Sequence, residues 1–382
     1  MPPEPGRPTR LTVFLADLQG GGAERMMVVI ANGMAARGMD VDLVLADVSG
    51  PYVKEVADAV RVVDLGTGSV SRALLPLARH LRRRRPDVML TTLAHTSFVA
   101  VLARAAAGVR VPTVVREANT PQAAYPGWVS GRTLLAHRLA PLTYRGADGV
   151  IAVSDGVKDA LVTVLGVPEG KVATLYNPVV APELKRLARE DPCHPWFAAG
   201  EPPVVLGVGS LTPRKDFATL VRAFARLERP DARLVILGEG EERAALQALV
   251  AELGLTGRVD LPGFAQNPFA FMSRAAVFVL SSTLEGLPGA LVQALACGCP
   301  AVATDCPSGP REVLRDGAVG PLVPVGDVDA MAAAIARVLD DPPDRAALPA
   351  AVERYDAGSV LDATCAYLEG MASRGRRPRR PA

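Results

Sequence analysis

Two side chains, each placed where a short apolar run gives way to a loop, carry the clearest chemical suggestion in this sequence. Lys215 lies in the run Gly209-Ser210-Leu211-Thr212-Pro213-Arg214-Lys215-Asp216-Phe217. A lysine at the mouth of a strand–helix loop supplies a compact positive charge suited to phosphate. Asp216 beside it suits the N-cap of the helix that follows. Glu285 lies in Ser281-Ser282-Thr283-Leu284-Glu285-Gly286-Leu287-Pro288-Gly289-Ala290-Leu291-Val292-Gln293, which runs on to Gly298. A strand is expected to end at Ser281, and Pro288 suits the first turn of a helix. No Ser or Asp caps that helix start, so the N–H groups over Gly289, Ala290 and Leu291 are free to meet a diphosphate. A carboxylate exposed beside such a site fits recognition of sugar hydroxyls better than packing; the plain alternative is a surface loop acid. Gln293, on the second turn of the helix, follows Glu285 by eight positions.

A third candidate is Gly20-Gly21-Gly22-Ala23-Glu24-Arg25, between the first expected strand and the first expected helix. Glycines there permit close backbone approach, and the helix start presents N–H groups to an anion. The run is not GxGxxG, and a strand–helix turn that needs positive φ accounts for it equally well. Of the four histidines, His80, His95, His137 and His194, none has zinc spacing. His95 follows a strand end, where lining a cleft and a satisfied structural role are both open.

These residues need elements to hold them, and the chain supplies a repeating set. Short β-rich runs alternate with longer Ala/Leu/Arg-rich helical patterns, the signature of a parallel sheet with crossover helices. In the first half, strands are expected at Leu11–Ala16, Val41–Ala46, Val60–Asp64, Val88–Thr92, Thr113–Arg116 and Gly149–Val153. Helices fit 23–37, 71–85, 96–107, 131–145 and 155–165. Between 178 and 203 six prolines crowd one stretch, as in a linker or domain boundary. The alternation then restarts with strand Val204–Val208, a glycine turn and a helix from Phe217. The expected organisation is α/β, with two Rossmann-like domains facing across a cleft. Residues 1–180 form the first domain, 181–356 the second, 357–372 pack back on the first, and 373–382 form a basic tail. Each half opens with a strand and a glycine turn, which places ligands at the strands' carboxyl ends.

Composition excludes several classes. Hydrophobic residues make up 49% of the 382, enough for two sizeable cores and too many for a disordered chain. Aromatic residues at 4% are too sparse for a nucleic-acid surface built on stacking. The five cysteines are scattered without a zinc or disulfide pattern. The Pro-rich N-terminus lacks the apolar core of a signal peptide, and no apolar run reaches the roughly 18 residues of a membrane span, so a cytoplasmic protein is expected. The net charge of +2 hides two arginine clusters, Arg82–Arg85 and Arg374–Arg380. They read either as a solvated helix end and a frayed tail or as electrostatic contact with an anionic membrane face.

The sequence resembles glycosyltransferase family 4, retaining enzymes of GT-B architecture, over residues 10–370. The matching pieces are Gly21-Gly22-Ala23-Glu24-Arg25, Asn177-Pro178, Lys215-Asp216-Phe217, Gly238-Glu239-Gly240, Gly263-Phe264, Glu285-Gly286-Leu287-Pro288 and Gly298-Cys299-Pro300-Ala301-Val302. The resemblance implies that Lys215 neutralises the diphosphate of a nucleotide-sugar, a UDP-sugar in first place, while Glu285 binds hydroxyls of the transferred sugar. It implies ribose binding by Gln293 and phosphate binding by the backbone from Pro288 to Leu291. Gly238, Glu239 and Phe264 would frame the base, and Gly21 and Gly22 would let the first domain approach donor and acceptor. No metal or resident cofactor is implied, since amides and Lys215 take that role.

Three departures stand out. Gln293 replaces the family's second glutamate, Ser210 replaces an arginine for which Arg214 is a nearby substitute, and Arg116-Glu117-Ala118-Asn119 stands where many members present a histidine. Glu117 is thus a candidate base, and a structural role for its cluster is equally open. The implied function is sugar transfer to a glycan or lipid-linked acceptor in surface polysaccharide or glycoconjugate synthesis, on the inner face of the membrane. A sugar-nucleotide epimerase, or a degenerate binding protein that never turns over, are the competing readings.

Overall fold

The computed structural model describes residues 7–19, 21–121 and 140–376. They divide into two compact units, one running up to Pro178 and resuming at Gly358, the other Val179–Ala357. The expected helix over 131–145 falls partly outside the described residues, as do His137 and Arg377–Arg380, and the described part is helical over 140–146.

The first unit is a seven-stranded parallel sheet. Its strands are β1 (Arg10–Leu15), β2 (Asp40–Leu45), β3 (Arg61–Asp64), β4 (Val88–Thr92), β5 (Thr113–Glu117), β6 (Gly149–Ala152) and β7 (Val172–Thr174), in spatial order β3-β2-β1-β4-β5-β6-β7. Central strands buried on both faces read as unbroken apolar runs, as in Val13-Phe14-Leu15 of β1. Crossover helices α1 (Gly22–Ala36), α2 (Leu74–Arg84), α3 (Ala94–Ala107) and α4 (Asp155–Thr163) cover the two faces. One core sets Met27, Ile30 and Met34 of α1 against β1 and β2; the other sets Leu77 and Leu81 of α2 with Ala100 and Ala103 of α3.

The second unit repeats the plan with six parallel strands: β8 (Val204–Val208), β9 (Arg233–Leu237), β10 (Val259–Gly263), β11 (Val277–Leu280), β12 (Ala301–Thr304) and β13 (Leu322–Val323), in order β10-β9-β8-β11-β12-β13. Its helices of five residues or more are α5 (Phe217–Ala225), α6 (Arg243–Glu252), α7 (Pro268–Met272), α8 (Gly289–Ala296) and α9 (Val328–Asp340), and shorter ones span Leu184–Leu187 and Pro310–Val313. Phe217, Leu220 and Phe224 of α5 fill one core with Met331 and Ile335 of α9, each fully buried side chain contributing about 1.5–3 kcal/mol.

The last helix, α10 (Ala357–Arg376), packs on the first unit. Gly33 of α1 makes that contact possible, since a Cβ there would lie 2.6 Å from Leu361 Cδ2. Arg37 locks it by donating to Asp362 at 2.7 Å and to the Gly358 carbonyl at 2.9 Å.

The proline-rich stretch is not a free linker. It belongs to the second unit: Val179 and Val180 donate to the Tyr355 carbonyl, Asn267 Nδ2 donates to the Leu187 carbonyl, and His194 Nε2 lies 3.0 Å from Asp260 Oδ2. The unit boundary falls at its first proline, between Pro178 and Val179, and the later prolines punctuate short turns that clasp β10 and α7.

Candidate active site

In the second sheet the strand order turns outward from β8 and β11, the switch point at which open α/β sheets take ligands. The loop leaving β8 carries Ser210, Arg214 and Lys215; the loop leaving β11 carries Glu285. Ser281 Oγ donates to the Lys215 carbonyl at 2.8 Å, and Thr283 donates twice to the Arg214 carbonyl, through N at 2.9 Å and Oγ1 at 3.0 Å. The two loops are thereby stitched along their backbones. Asp216, at φ 46°, caps α5 by accepting from Thr219 N at 3.2 Å.

Within this frame Lys215 Nζ donates to Glu285 Oε1 at 2.5 Å, and Ser282 Oγ donates to the same oxygen at 2.7 Å. Burial would push the Glu285 carboxyl up; Lys215, then Arg214 and Ser282, outweigh it and hold it below the usual range. The exposed acid expected from the sequence is therefore 5% exposed and ion-paired, because the lysine seventy residues earlier folds onto it.

Beside this pair α8 begins with Pro288 at its N-cap and no side-chain cap. Nothing lies within 4 Å of a Cβ built on Gly289, so the surface over the helix start is open. Gly289, Ala290 and Gln293 are half-buried, while Pro288 and Leu291 are buried. The wall facing Pro288 is a loop that sequence reasoning missed, Asp305-Cys306-Pro307-Ser308-Gly309. A Cβ on Gly309 would lie 2.4 Å from Pro288 Cδ, so this loop closes directly on the turn after Glu285. Its signal was legible: Pro-Ser-Gly-Pro between a strand and a helix, with Ser308 at φ 62° and Gly309 at φ 89°. Cys306, buried near Glu285, has its thiol pushed up to about 12 by desolvation.

The glycines of Gly238-Glu239-Gly240 serve the loops first. A Cβ on Gly238 would fall 1.8 Å from the Gly209 carbonyl oxygen, and one on Gly240 would fall 2.3 Å from that of Leu211. Glu239 is paired with Arg243 at 2.7 Å. Phe264 is 74% exposed and borders a pocket of about 310 Å³ shared with Leu237, Gly263, Asp191 and His194.

In the first unit Glu117 ends β5. Tyr144 donates to its Oε2 at 2.5 Å, and Asn119 N to its Oε1 at 3.4 Å. Burial raises this carboxyl above the usual range against those bonds. Arg116 is 2% exposed, donates to Asn177 Oδ1, and is lowered to about 10 by desolvation. Gly21 has φ −79°, so the glycine run is not explained by positive φ at that position, and Gly20 lies outside the described residues. A Cβ on Gly21 would meet Glu24 Oε2 at 1.9 Å, the far end of a side chain that can swing aside.

Of the arginines in the first cluster, Arg82 donates to the Ala106 and Ala107 carbonyls at the end of α3, and Arg84 to Asp40 and Asp42. Arg83 and Arg85 are exposed. Among the described residues, no helix is long and apolar enough to cross a membrane, and no three His, Cys, Asp or Glu side chains are grouped to hold a metal ion.

Two family models match the chain: Glycosyltransferase Family 4 over residues 20–183 and Glycosyl transferases group 1 over residues 194–354. A Campylobacter jejuni relative, N-acetylgalactosamine-N,N'-diacetylbacillosaminyl-diphospho-undecaprenol 4-alpha-N-acetylgalactosaminyltransferase, is 30% identical across 87% of this chain and 90% of its own length. The Rhizobium meliloti lipopolysaccharide core biosynthesis glycosyltransferase LpsE is 28% identical across 93% of this chain and 96% of its own. Among solved structures, the lipopolysaccharide outer core galactosyltransferase WaaB superposes with TM-score 0.73 at 20% identity, covering 95% of this chain and all (100%) of that one. Anabaena HepE in complex with UDP superposes with TM-score 0.76 at 21% identity over 95% and 100% of the two chains. The chain belongs to glycosyltransferase family 4, a GT-B glycosyltransferase of two parallel-sheet Rossmann-like domains.

Proposed function

We propose that the protein moves a sugar from a nucleotide diphosphate-sugar, a UDP-sugar in first place, to a glycan or lipid-linked acceptor in surface polysaccharide synthesis, with retention of anomeric configuration. The observation that carries this reading is the pairing of Lys215 with Glu285 beside the uncapped start of α8. A diphosphate set on the Gly289 and Ala290 amides brings its leaving-group charge to Lys215, with Arg214 and Ser210 on the same loop. Charge that develops in the transition state is what such donors stabilise most. Glu285, released from Lys215 or shared with it, accepts hydroxyls of the transferred sugar. Gln293 takes the ribose, and the Phe264 pocket, with Gly238 and Glu239 on its edge, takes the base.

In this reading the neutralising charge comes from Lys215, Arg214 and amides, with no metal ion called for. The acceptor is assigned to the first unit, where Gly21, Gly22 and Glu117 lie. A carboxyl raised by burial, as Glu117 is, suits a base working near neutral pH. The relatives named for lipopolysaccharide synthesis support a membrane-borne acceptor. Arg83 and Arg85, with the Arg374–Arg380 tail, form the basic patches that would hold the protein to the inner, anionic face of a membrane.

The test is nucleotide release from UDP-, GDP- and ADP-sugars, with and without membrane extract, for the intact protein and Glu285→Ala. Release from one donor, raised by extract and lost in the variant, is expected. Binding of a donor without release under every condition would overturn the transferase reading in favour of a binding protein.

A further inference from the structure

We infer that Arg311 is a positioning residue for sugar transfer: by clasping Asp305 it holds the 305–309 loop against the turn that follows Glu285. The inference rests on the transferase reading in taking that turn to carry the transferred sugar.

Glu285 is supported from two sides. On the β8 side Lys215 and the stitched backbones hold it. On the β12 side, Thr304 is wholly buried at the strand's end and donates through Oγ1 to the Ser282 carbonyl at 2.5 Å. Ser282 Oγ in turn donates to Glu285 Oε1. The chain then leaves β12 as the 305–309 loop, and Gly309 sits against the turn itself. A Cβ on Gly309 would lie 2.4 Å from Pro288 Cδ, 2.9 Å from the Gly286 carbonyl oxygen and 3.3 Å from Leu287 Cα. The loop is therefore one wall of the segment that joins the Glu285 carboxylate to the uncapped start of α8. In a close-packed contact of this kind, a shift of the wall is passed on to what it touches.

The loop does not take this shape by backbone preference. Ser308 has φ 62° and Gly309 φ 89°, two left-handed residues in succession, and Pro310 after them has no N–H to donate. A strained stretch of this kind persists only where its surroundings fix both ends. One end is fixed through the main chain, Asp305 N donating to the Val323 carbonyl at 2.7 Å. The other end opens the short helix Pro310–Val313, and Arg311 on that helix reaches back through Nη2 to Asp305, closing the loop across six positions. Arg311 Nη1 lies 3.5 Å from Asp316, a carboxylate 79% exposed. The three charged side chains line an open pocket of about 660 Å³ along β13, in which Lys215, Glu285 and Gln293 have no part. Arg311 thus acts through the loop and does not touch the donor. A half-exposed ion pair contributes little to global stability. A reacting group displaced by about 1 Å can nonetheless lose as much as about 10²-fold in rate. Placement of the Glu285 turn is what this pair can govern.

The experiment compares the full-length protein with Arg311→Gln, Arg311→Lys, Asp305→Asn, Asp316→Asn and the double variant Asp305→Asn/Arg311→Gln. Transfer from the donor selected by the release assay is measured beside UDP affinity, melting temperature and hydrogen exchange of segments 282–288 and 303–310. Arg311→Gln and Asp305→Asn should each lower kcat/KM by about ten- to a hundredfold. The double variant should lose no more than either alone, as expected of two residues that act as one unit. Arg311→Lys should keep most of the rate, because an ammonium can still meet Asp305. UDP affinity should stay within about twofold and the melting temperature within about 3 °C in all of them. Exchange in the two segments should quicken in Arg311→Gln, Asp305→Asn and the double variant, while Asp316→Asn should match the intact protein throughout. Unchanged transfer or unchanged exchange in Arg311→Gln would overturn the inference. So would losses that multiply in the double variant, an Asp316→Asn loss equal to that of Asp305→Asn, or a rate loss that a drop in melting temperature accompanies. Failure of the transferase reading looks different: no nucleotide release from any donor, with the exchange response to Arg311→Gln intact.

Discussion

Lys215 Nζ and Glu285 Oε1 are 2.5 Å apart, and their loops leave the two strands that flank the second unit's switch point. The cation that the proposed chemistry needs is thus already partnered, by a carboxylate 5% exposed that also accepts from Ser282. In the proposed reaction a diphosphate would have to compete with Glu285 for Lys215.

Lys215→Met removes the first of the groups that hold down the buried Glu285 charge, leaving Arg214 and Ser282 to offset it. Breaking such a pair costs about 3–5 kcal/mol, read as a fall in denaturation midpoint. Adding Glu285→Gln to it should restore most of that stability, since no buried charge then remains. Activity should not return: loss of the leaving-group cation is expected to cut kcat/KM by about 10²–10³ in both variants. A double variant as unstable as the single one would refute the coupling.

Acidification tests the same pair from the other side. Glu285 is held below the usual carboxyl range in the folded protein, so its contribution is fully present above the unfolded value and is lost as pH falls through the lowered folded one. Denaturation midpoints measured from pH 7 down to about pH 3 should therefore drop more for the intact protein than for Glu285→Gln. Parallel curves would show that the ion pair contributes nothing.

The glycines around the site divide into two kinds. Gly238→Ala drives a methyl to 1.8 Å from the Gly209 carbonyl oxygen at φ 144°, so it should cost upwards of about 1–3 kcal/mol and displace the loop that carries Lys215. Gly289→Ala meets nothing within 4 Å and should leave the melting temperature unchanged or higher. If the diphosphate lies against that helix start, Gly289→Ala should still weaken UDP binding several-fold. Wild-type UDP affinity in Gly289→Ala would move the phosphates elsewhere.

Arginines of the first cluster should behave unequally at a membrane. Arg82 and Arg84 are committed to carbonyls of α3 and to Asp40 and Asp42, whereas Arg83 and Arg85 face solvent. Neutralising Arg83 and Arg85 together should weaken partition onto anionic vesicles by about 10–30-fold at low salt, at about 1 kcal/mol each. Neutralising Arg84 should instead lower stability, because buried Asp42 loses a partner. Vesicle binding unchanged by the first pair would argue against this patch as a membrane contact.

Much of the fold was legible because its signals are local. The alternation of apolar runs and helical segments marks parallel α/β units wherever central strands are buried on both faces, and Asp216 announces the start of α5. The short strand Val172–Thr174 escaped notice because three residues carry too little pattern. The proline-rich stretch marked the boundary at Pro178 but not its packing, since prolines mark turns without saying what those turns pack against.

The sequence by itself determined the residue types at the strand ends: a lysine after β8, a glutamate after β11, a glycine-acid run after β1. Those follow from chain-local chemistry and from the resemblance they carry. Only the tertiary structure decided which of them meet. Register across β8 and β11 brings Lys215 onto Glu285 and turns an expected surface acid into a buried ion pair. The tertiary fold also brings the 305–309 loop onto Pro288. Such contacts depend on the parallel pairing of strands distant in the chain, and no window of sequence contains both partners.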